Sequence, residues 1–253
     1  MRVVAIIPAR YGSTRLPGKP LLDKTGKPLI QHVVEAAGEA RRLSGVYVAT
    51  DDERIHKAVV AFGGQAVMTR SDHATGTDRL AEAAVKLNLA DDDIVVNVQG
   101  DEPEIAPADI DKLVDVLERS GAPMATLAAP LDASQAEKAN LVKVVLAKDG
   151  SALYFSRAKI PFDRDPGGTG AAYLLHRGIY AYRKRFLCAY AGLAPTSAEK
   201  AEKLEQLRAL EHGHKIAVGV VDSATPGIDT LEDYEAFVRR FKGRQEPFQR
   251  MTR

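Results

Sequence analysis

Basic side chains and glycines are concentrated in the segment Pro8–Pro20, which follows a short apolar run at the N-terminus. Arginine and lysine can neutralise phosphate charge, and glycines let backbone N–H groups approach phosphate oxygens. The segment matches neither a Walker A loop nor a dinucleotide fingerprint. A basic loop is commonly solvated surface, but the order R-x-x-x-T-R-L-P-G-K-P predicts a triphosphate site built on the cations Arg10, Arg15 and Lys19.

Short apolar runs alternate with amphipathic stretches through the first half of the chain. The predicted strands are Val3–Ile7, Val46–Thr50, Ala66–Met68 and Asp93–Val98, and the predicted helices are Pro28–Ala40, Asp52–Phe62 and Asp78–Leu89. This alternation predicts a parallel, doubly wound sheet, in which ligands bind at the carboxyl ends of the strands. Two polar loops, Pro8–Pro20 and Gln99–Pro103, follow strands in this way, so we expect them to form one site.

The second half has a less regular pattern. Its predicted strands are Ala125–Pro130, Val142–Leu146, Ala152–Phe155 and Ile179–Tyr182, and its predicted helices are Ser197–Glu211 and Asp229–Phe241. Residues Asp163–Gly170 are rich in glycine, aspartate and proline, which predicts a mobile loop. We therefore expect one α/β domain over residues 1–253, with a three-layer, mostly parallel sheet and an inserted smaller sheet region.

Composition excludes several classes of protein. The chain has 253 residues, of which 45% are hydrophobic and 27% charged, and a formal net charge of +1. This balance argues against a nucleic-acid or membrane-surface binder, which would be strongly basic. The single cysteine, Cys188, can form neither an internal disulfide nor a multi-cysteine zinc site. No apolar stretch approaches membrane-spanning length, and a cytoplasmic location is expected.

Two aspartates stand at positions where they could share a metal ion. Asp101 follows a predicted buried strand, and Asp229 follows Pro226-Gly227. Mg²⁺ takes oxygen ligands and typically uses one or two carboxylates together with substrate phosphates. A cap or turn role is the common alternative for an isolated aspartate, and Asp229 could instead be the N-cap of the last helix. Glu102 is a further acid beside Asp101.

The segment I-I-P-A-R-Y-G-S-T-R-L-P-G-K-P-L resembles the opening of the 3-deoxy-manno-octulosonate cytidylyltransferases, and further matches follow along nearly the whole chain. They lie at Asp72–Arg79, Asn97–Pro103, Val142–Val145, Tyr154–Arg157, His176–Tyr180, Leu204–Arg208 and Gly227–Asp233. The resemblance implies a nucleotide-diphospho-sugar transferase (Rossmann-like) fold and a cytoplasmic homodimer acting in lipopolysaccharide precursor synthesis. It also implies a nucleotide-binding part at about residues 1–120 and a sugar-acid and dimer region at about 121–225.

The resemblance assigns roles residue by residue. It implies that nucleotide is bound by Pro8, Ala9, Arg10, Arg15, Lys19, Thr75, Gly76, Arg79, Gln99 and Gly100. The sugar acid is expected at Gln99, Arg157, His176, Tyr180, Glu205 and Gln206, with Arg157 suited to the carboxylate by its planar guanidinium. Mg²⁺ is expected on Asp101 and Asp229, and the implied catalytic residues are Arg10, Lys19, Asp101 and Asp229. Arg177 stands where an apolar residue is frequent in the family.

The implied reaction is an in-line attack of the sugar acid's anomeric hydroxyl on the α-phosphorus of CTP, with release of pyrophosphate. Two related acceptors stay open, an 8-amino-8-deoxy form of the same sugar acid and a sialic acid. A non-catalytic nucleotide sensor is the alternative from another class. We expect the partners to be CTP and the sugar acid, together with a second copy of the chain, and neither nucleic acid nor membrane.

Overall fold

The computed structural model describes residues 1–12, 16–165, 171–222 and 227–250, with side chains described up to Arg244. The strands are β1 (Val3–Ala9), β2 (Gly45–Thr50), β3 (Gln65–Met68), β4 (Ile94–Asn97), β5 (Met124–Leu131), β6 (Lys143–Leu146), β7 (Ala152–Ser156), β8 (Tyr173–Arg183) and β9 (Ile216–Val220). The α-helices are α1 (Leu29–Gly38), α2 (Glu53–Ala61), α3 (Gly76–Lys86), α4 (Pro107–Ser120), α5 (Lys184–Ala191), α6 (Ser197–Glu202), α7 (Gln206–Glu211) and α8 (Leu231–Arg250).

The strands form one sheet in the order β3-β2-β1-β4-β8-β5-β9. Strands β1 to β4 are mutually parallel, β5 pairs parallel with β9, and β8 runs antiparallel between β4 and β5. The expected mostly parallel sheet is therefore confirmed. The smaller sheet region is the β6–β7 hairpin, which joins β8 through the register pair Lys143↔Leu175.

Helices cover both faces of the sheet and complete three layers. Along β1, Val3, Ala5 and Ile7 face the core on the side of α1, α2 and α4, whereas Val4 and Ile6 face the core on the side of α3, α5 and α7. This alternation follows from the two-residue period of a strand buried on both faces. A third cluster packs α8 onto Leu29 of α1 and thereby fixes the chain that precedes α8; its members are Leu29, Ile228, Tyr234, Phe237 and Val238.

Several elements differ from the sequence-based expectations. Helices α4 and α5 and strand β9 were not predicted, and β8 is much longer than the predicted Ile179–Tyr182. The predicted loop Asp163–Gly170 lies partly outside the described residues, which stop at Asp165 and resume at Ala171. The division of one domain into a nucleotide part and a sugar-acid part stays a prediction. Within the described residues, no helix has the length and apolar character needed to cross a bilayer.

The prediction that Ser197–Glu211 forms one continuous helix was wrong. The segment is two short helices, α6 and α7, separated at Lys203, which has φ 54° and ψ 46°. This left-handed conformation ends α6 and costs a residue that carries a Cβ about 1 kcal/mol or more. The composition of the segment favours helix throughout, so the break is set by tertiary packing and not by propensity.

We expect Lys203→Gly to raise the free energy of unfolding by about 1 kcal/mol, because glycine adopts the left-handed conformation without the Cβ penalty. Urea denaturation measures the change. Lys200→Gly, in the regular part of α6, is the matched control and should lower the same quantity by about 1 kcal/mol. Equal destabilisation by the two substitutions would contradict the assignment of strain to Lys203.

Candidate active site

A cleft of about 480 Å³ lies over the carboxyl ends of the adjacent strands β1 and β4. The sheet order changes direction here, since β2 and β4 flank β1 on opposite sides, and such switch points form ligand crevices. The lining consists of Pro8, Ala9, Arg10, Lys19, Pro20, His73, Ala74, Thr75, Gly76, Arg79, Gln99, Gly100, Asp101, Glu205 and Asp229. Every predicted nucleotide and metal residue is among them except Arg15, which lies outside the described residues.

Lys19 is directed into the cleft by the turn that precedes it. Gly18 has φ 68°, and its N–H donates to the Tyr11 carbonyl at 3.1 Å. A Cβ at Gly18 would also lie 3.2 Å from the Tyr11 ring, so glycine is required by both conformation and space. Lys19 then opens a short 3-10 helix, Lys19–Leu21, and its Nζ reaches across the cleft.

Asp101 is held between two segments that are distant in sequence. Lys19 Nζ donates to Asp101 Oδ2 and to the Ile228 carbonyl, both at 2.8 Å. The Ile228 N–H in turn donates to the Asp101 carbonyl at 2.9 Å. These bonds bring the chain next to Asp229 against the end of β4, and both aspartates line the same cleft.

Asp229 is not the N-cap of the last helix. Thr230 and Asp233 carry out that role reciprocally: the Asp233 N–H donates to Thr230 Oγ1 at 3.1 Å, and the Thr230 N–H donates to Asp233 Oδ2 at 2.9 Å. These bonds satisfy the helix start as a capping box does. The Asp229 carboxylate is therefore not needed as the cap, and Asp229 lines the cleft.

The start of α3 forms another wall. Thr75 is its N-cap, accepting from the Asp78 N–H at 3.2 Å, while Asp78 Oδ2 accepts from the Thr75 N–H at 3.0 Å. A helix N-terminus carries partial positive charge and favours anions. Arg79 also lines the cleft, but its guanidinium is held by Thr69 at 2.6 Å and Asp51 at 3.2 Å.

The four-residue turn Gln99–Glu102 carries Asp101. The Glu102 N–H donates to the Gln99 carbonyl at 3.2 Å, which closes the turn. A Cβ at Gly100 would lie 3.1 Å from the Pro8 carbonyl oxygen, so the turn approaches the end of β1 closely because residue 100 is glycine. Gln99 Nε2 donates to the Gly178 carbonyl at 3.0 Å.

A smaller cavity of about 140 Å³ adjoins the cleft, since Pro8, Gly76, Gln99 and Glu205 line both. We call it the inner cavity, and its remaining lining is Thr77, Asn97, Tyr180, Tyr182, Tyr190 and Gln206. Three of its polar atoms are buried without a hydrogen-bond partner among the described residues: Asn97 Oδ1, Glu205 Oε1 and Gln206 Nε2. Buried polar atoms of this kind are normally paired, so the inner cavity is suited to a polar ligand.

Two neighbouring residues, Glu205 and Gln206, line the inner cavity from the start of α7, just after the break at Lys203. Glu205 is the residue before α7, and Gln206 is the first residue of α7. Burial raises the pKa of Glu205, an effect that a hydrogen bond to Thr77 opposes. Burial likewise raises the pKa values of Tyr180 and Tyr182, so their hydroxyls stay neutral.

Two predicted sugar-acid residues, Arg157 and His176, are not among the residues that line either cavity. The Arg157 guanidinium donates to main-chain carbonyls of Glu202 at 2.7 Å and Ala139 at 3.2 Å. It therefore fixes the C-terminal end of α6, where a cation is favourable. The His176 ring packs edge-on against Phe155, and its Nε2 lies 3.1 Å from Thr126 Oγ1.

Sequence reasoning missed four residues of the inner cavity as individual site residues: Thr77, Asn97, Tyr182 and Tyr190. Tyr182 lies two residues beyond Tyr180 on β8 and hence on the same face of the sheet, a signal that the strand period carries. Tyr190 comes from α5, which was not predicted. Among the described residues, no group of three or more His, Cys, Asp or Glu side chains is placed to hold a metal ion.

Similarity to known proteins agrees with this arrangement. The family model described as cytidylyltransferase matches residues 4–216. The chain belongs to the cytidylyltransferase family. The matched region includes every residue that lines the two cavities except Asp229, which follows it.

Among relatives in this family, one from Syntrophobacter fumaroxidans, named 3-deoxy-manno-octulosonate cytidylyltransferase, is 54% identical over 94% of this chain and 96% of its own. One from Shewanella halifaxensis, named 8-amino-3,8-dideoxy-manno-octulosonate cytidylyltransferase, is 50% identical over 92% of this chain and 96% of its own. A solved structure of CMP:2-keto-3-deoxy-manno-octonic acid synthetase complexed with CTP has a TM-score of 0.91 at 46% identity, covering 96% of this chain and all of that one.

His176 contributes a pH dependence that can be measured. Desolvation, followed by the neighbouring Arg177, lowers the pKa of His176 to about 3. In the unfolded chain this histidine has a pKa near 6.5 and is protonated below that pH, whereas in the folded chain it stays neutral. The free energy of unfolding therefore falls as the pH falls. From pH 7 to pH 5 this residue should cost about 2 kcal/mol.

We therefore expect His176→Gln to lose about 2 kcal/mol less stability than the wild type between pH 7 and pH 5. Urea denaturation of both proteins at the two pH values gives the change in the free energy of unfolding with pH. The difference between the two proteins at pH 7 gives the cost of the altered packing. Parallel pH dependences would show that His176 is protonated in the folded protein at pH 5.

Proposed function

We propose that the chain is a 3-deoxy-manno-octulosonate cytidylyltransferase, which transfers the cytidylyl group of CTP to the anomeric hydroxyl of 3-deoxy-manno-octulosonate and releases pyrophosphate. Membership of the cytidylyltransferase family supports the reaction class. The names of relatives about half identical over nearly the full length support the acceptor. The sensor alternative is not favoured, since the implied metal aspartates and Lys19 are retained together in the cleft.

The junction of Lys19, Asp101 and the segment around Asp229 is the observation that carries the proposal. The Lys19 ammonium group pairs with Asp101 at the carboxyl ends of β1 and β4, and Asp229 and the start of α3 line the same cleft. Lys19 and Arg10 would bind the triphosphate. Cations placed where charge develops on the phosphates stabilise the transition state and need no reorganisation during the reaction.

The same junction suits Mg²⁺. Asp101 and Asp229 offer hard oxygen ligands in the cleft, and a pair of carboxylates agrees with an ion that completes its shell with water and substrate phosphates. When bound there, Mg²⁺ would neutralise charge at the α-phosphate and lower the pKa of the attacking hydroxyl. The chain's own contribution is to hold the two aspartates together through Lys19 and the Ile228–Asp101 backbone bond.

The two cavities differ in charge, which orients the acceptor. The cleft holds Arg10, Lys19, His73 and Arg79, whereas none of the described residues that line the inner cavity is a lysine, arginine or histidine. The sugar acid's carboxylate and anomeric hydroxyl would therefore stay in the cleft, close to the triphosphate. Its hydroxylated tail would enter the inner cavity, where Asn97 and Gln206 have atoms ready to pair.

An 8-amino acceptor is the second candidate, because a relative with that name is 50% identical to this chain, close to the 53% of one named for the hydroxy acid. The unpartnered Glu205 Oε1 in the inner cavity would accept from a terminal ammonium as well as from a hydroxyl. We propose a cytoplasmic homodimer in either case. Exposed apolar side chains, including Leu153, Phe162 and Val220, offer area for a subunit contact.

The deciding measurement is pyrophosphate release by the purified protein with Mg²⁺, each of four nucleoside triphosphates, and a panel of acceptors. The panel contains 3-deoxy-manno-octulosonate, its 8-amino analogue and a sialic acid. We expect release with CTP and the first acceptor, at a kcat/KM at least about tenfold above the others, since one mismatched buried polar group costs 1–3 kcal/mol. Release with none of the acceptors would reject the proposed activity.

Asp101→Asn tests the role of the cleft carboxylate. The amide keeps the shape of the side chain but removes the charge that a divalent ion requires, so we expect kcat/KM to fall roughly 10²–10³-fold with the fold retained. Asp92→Asn is the matched control, because Asp92 lies exposed just before β4, at the strand end opposite Asp101, and pairs with Arg185. Near-normal turnover by the Asp101 variant would refute the metal assignment.

A further inference from the structure

A β-bulge in β8 lies beside the turn that carries Asp101. The register of β5 with β8 passes from Thr126↔Tyr180 directly to Leu127↔Arg177, which leaves Gly178 and Ile179 as extra residues on β8. Thr126 Oγ1 lies 2.7 Å from the Ile179 carbonyl oxygen and 3.0 Å from that of Arg177, and so holds the bulge closed from the neighbouring strand. Bulges next to active sites re-aim backbone groups and side chains.

One redirected group contacts the first residue of the Gln99–Glu102 turn. The Gly178 carbonyl accepts from Gln99 Nε2 at 3.0 Å. Gly178 has no pairing partner on β5, so its carbonyl can accept from the side chain of Gln99, which follows β4. The bulge thereby fixes the side chain of a residue that lines both cavities.

The preceding residue contacts the last residue of the same turn. Arg177 is buried, with its side chain 4% exposed, and its two terminal nitrogens lie 3.5 Å from Glu102 Oε2 and 3.5 Å from Asp109 Oδ2. Those carboxylates are also largely shielded, at 12% and 15% exposure, so the attraction is screened less than at the surface. Arg177 thus lies within ion-pair distance of both Glu102 and the first turn of α4.

We propose that the β8 bulge braces the Gln99–Glu102 turn at both ends, and that Arg177 is a positioning residue for the metal carboxylate Asp101. Asp101 is the third residue of this turn, so its direction is set once Gln99 and Glu102 are fixed. Lys19 and the Ile228 N–H hold the same residue from the opposite side of the cleft. The inference rests on the proposed function in taking Asp101 as a metal ligand.

The test measures Mn²⁺ binding to the CTP-saturated protein by electron paramagnetic resonance, without sugar acid and therefore without turnover. Two variants remove the brace. Arg177→Lys keeps a charge in the pocket but replaces the planar fork by one point charge that cannot serve both carboxylates. The triple variant Arg177→Met, Glu102→Gln, Asp109→Asn removes all three charges, so that no buried carboxylate is left unpaired.

Arg42→Met is the matched control. Arg42 also pairs with two acids of α4, Asp115 and Glu118, but it is absent from both cavity linings. We expect the triple variant to weaken Mn²⁺ binding roughly 10- to 100-fold, the range for groups that orient a metal ligand, with the lysine variant between it and wild type. The control should stay within about twofold.

The affinity for CTP without metal distinguishes a loss of positioning from general damage to the fold. This affinity depends on cations that the brace does not hold, so it should change by no more than about twofold in each variant. Wild-type Mn²⁺ affinity in either Arg177 variant, with native circular dichroism, overturns the proposal. If the triple variant does not fold, the Mn²⁺ affinity of the lysine variant, which retains the buried charge, tests the proposal by itself. Failure of wild-type pyrophosphate release would reject the proposed function alone, since Mn²⁺ binding is measured without turnover.

Discussion

The ion pair between Lys19 and Asp101, 2.8 Å long, joins the parts of the chain that make the cleft. The lysine follows the turn at Gly18, the aspartate follows β4, and the lysine's second acceptor, the Ile228 carbonyl, belongs to the segment that α8 packs onto α1. A triphosphate in this cleft would add several negative charges beside two carboxylates. The proposed reaction therefore requires positive charge that can bind phosphates and carboxylates together. Lys19 supplies part of this charge.

Much of the cleft could be predicted because it depends on local sequence. The first apolar run, the basic loop after it and the polar turn after β4 each follow from short patterns, and parallel neighbouring strands must bring their carboxyl ends together. That argument placed Lys19 and Asp101 at one cleft, as the structure shows, whereas Thr75 came from the resemblance. The resemblance added Asp229, whose position depends on how α8 packs and is not encoded near residue 229.

The inner cavity was less predictable because it depends on departures from regular structure. Ser197–Glu211 has the composition of one helix, yet it is broken at Lys203, and the second helix begins at the cavity with Glu205 and Gln206. Arg157 was predicted from its residue type and the resemblance. Its guanidinium suits a carboxylate, but it donates to the main-chain carbonyls of Glu202 and Lys203 at the end of α6 and to that of Ala139. Residue type identified a cation in the right region without revealing what that cation contacts.

Irregular backbone and functional side chains coincide in this molecule for a physical reason. A regular strand or helix satisfies its own backbone groups and points neighbouring side chains in different directions, so it cannot by itself gather several polar atoms around one ligand. The bulge in β8 frees a carbonyl for Gln99, and the left-handed residue at Lys203 starts a new helix at the cavity. Each departure lowers local stability, and the surrounding core must offset that cost. Places where a sequence conflicts with its own local preferences are therefore where the ligand-binding atoms should be sought.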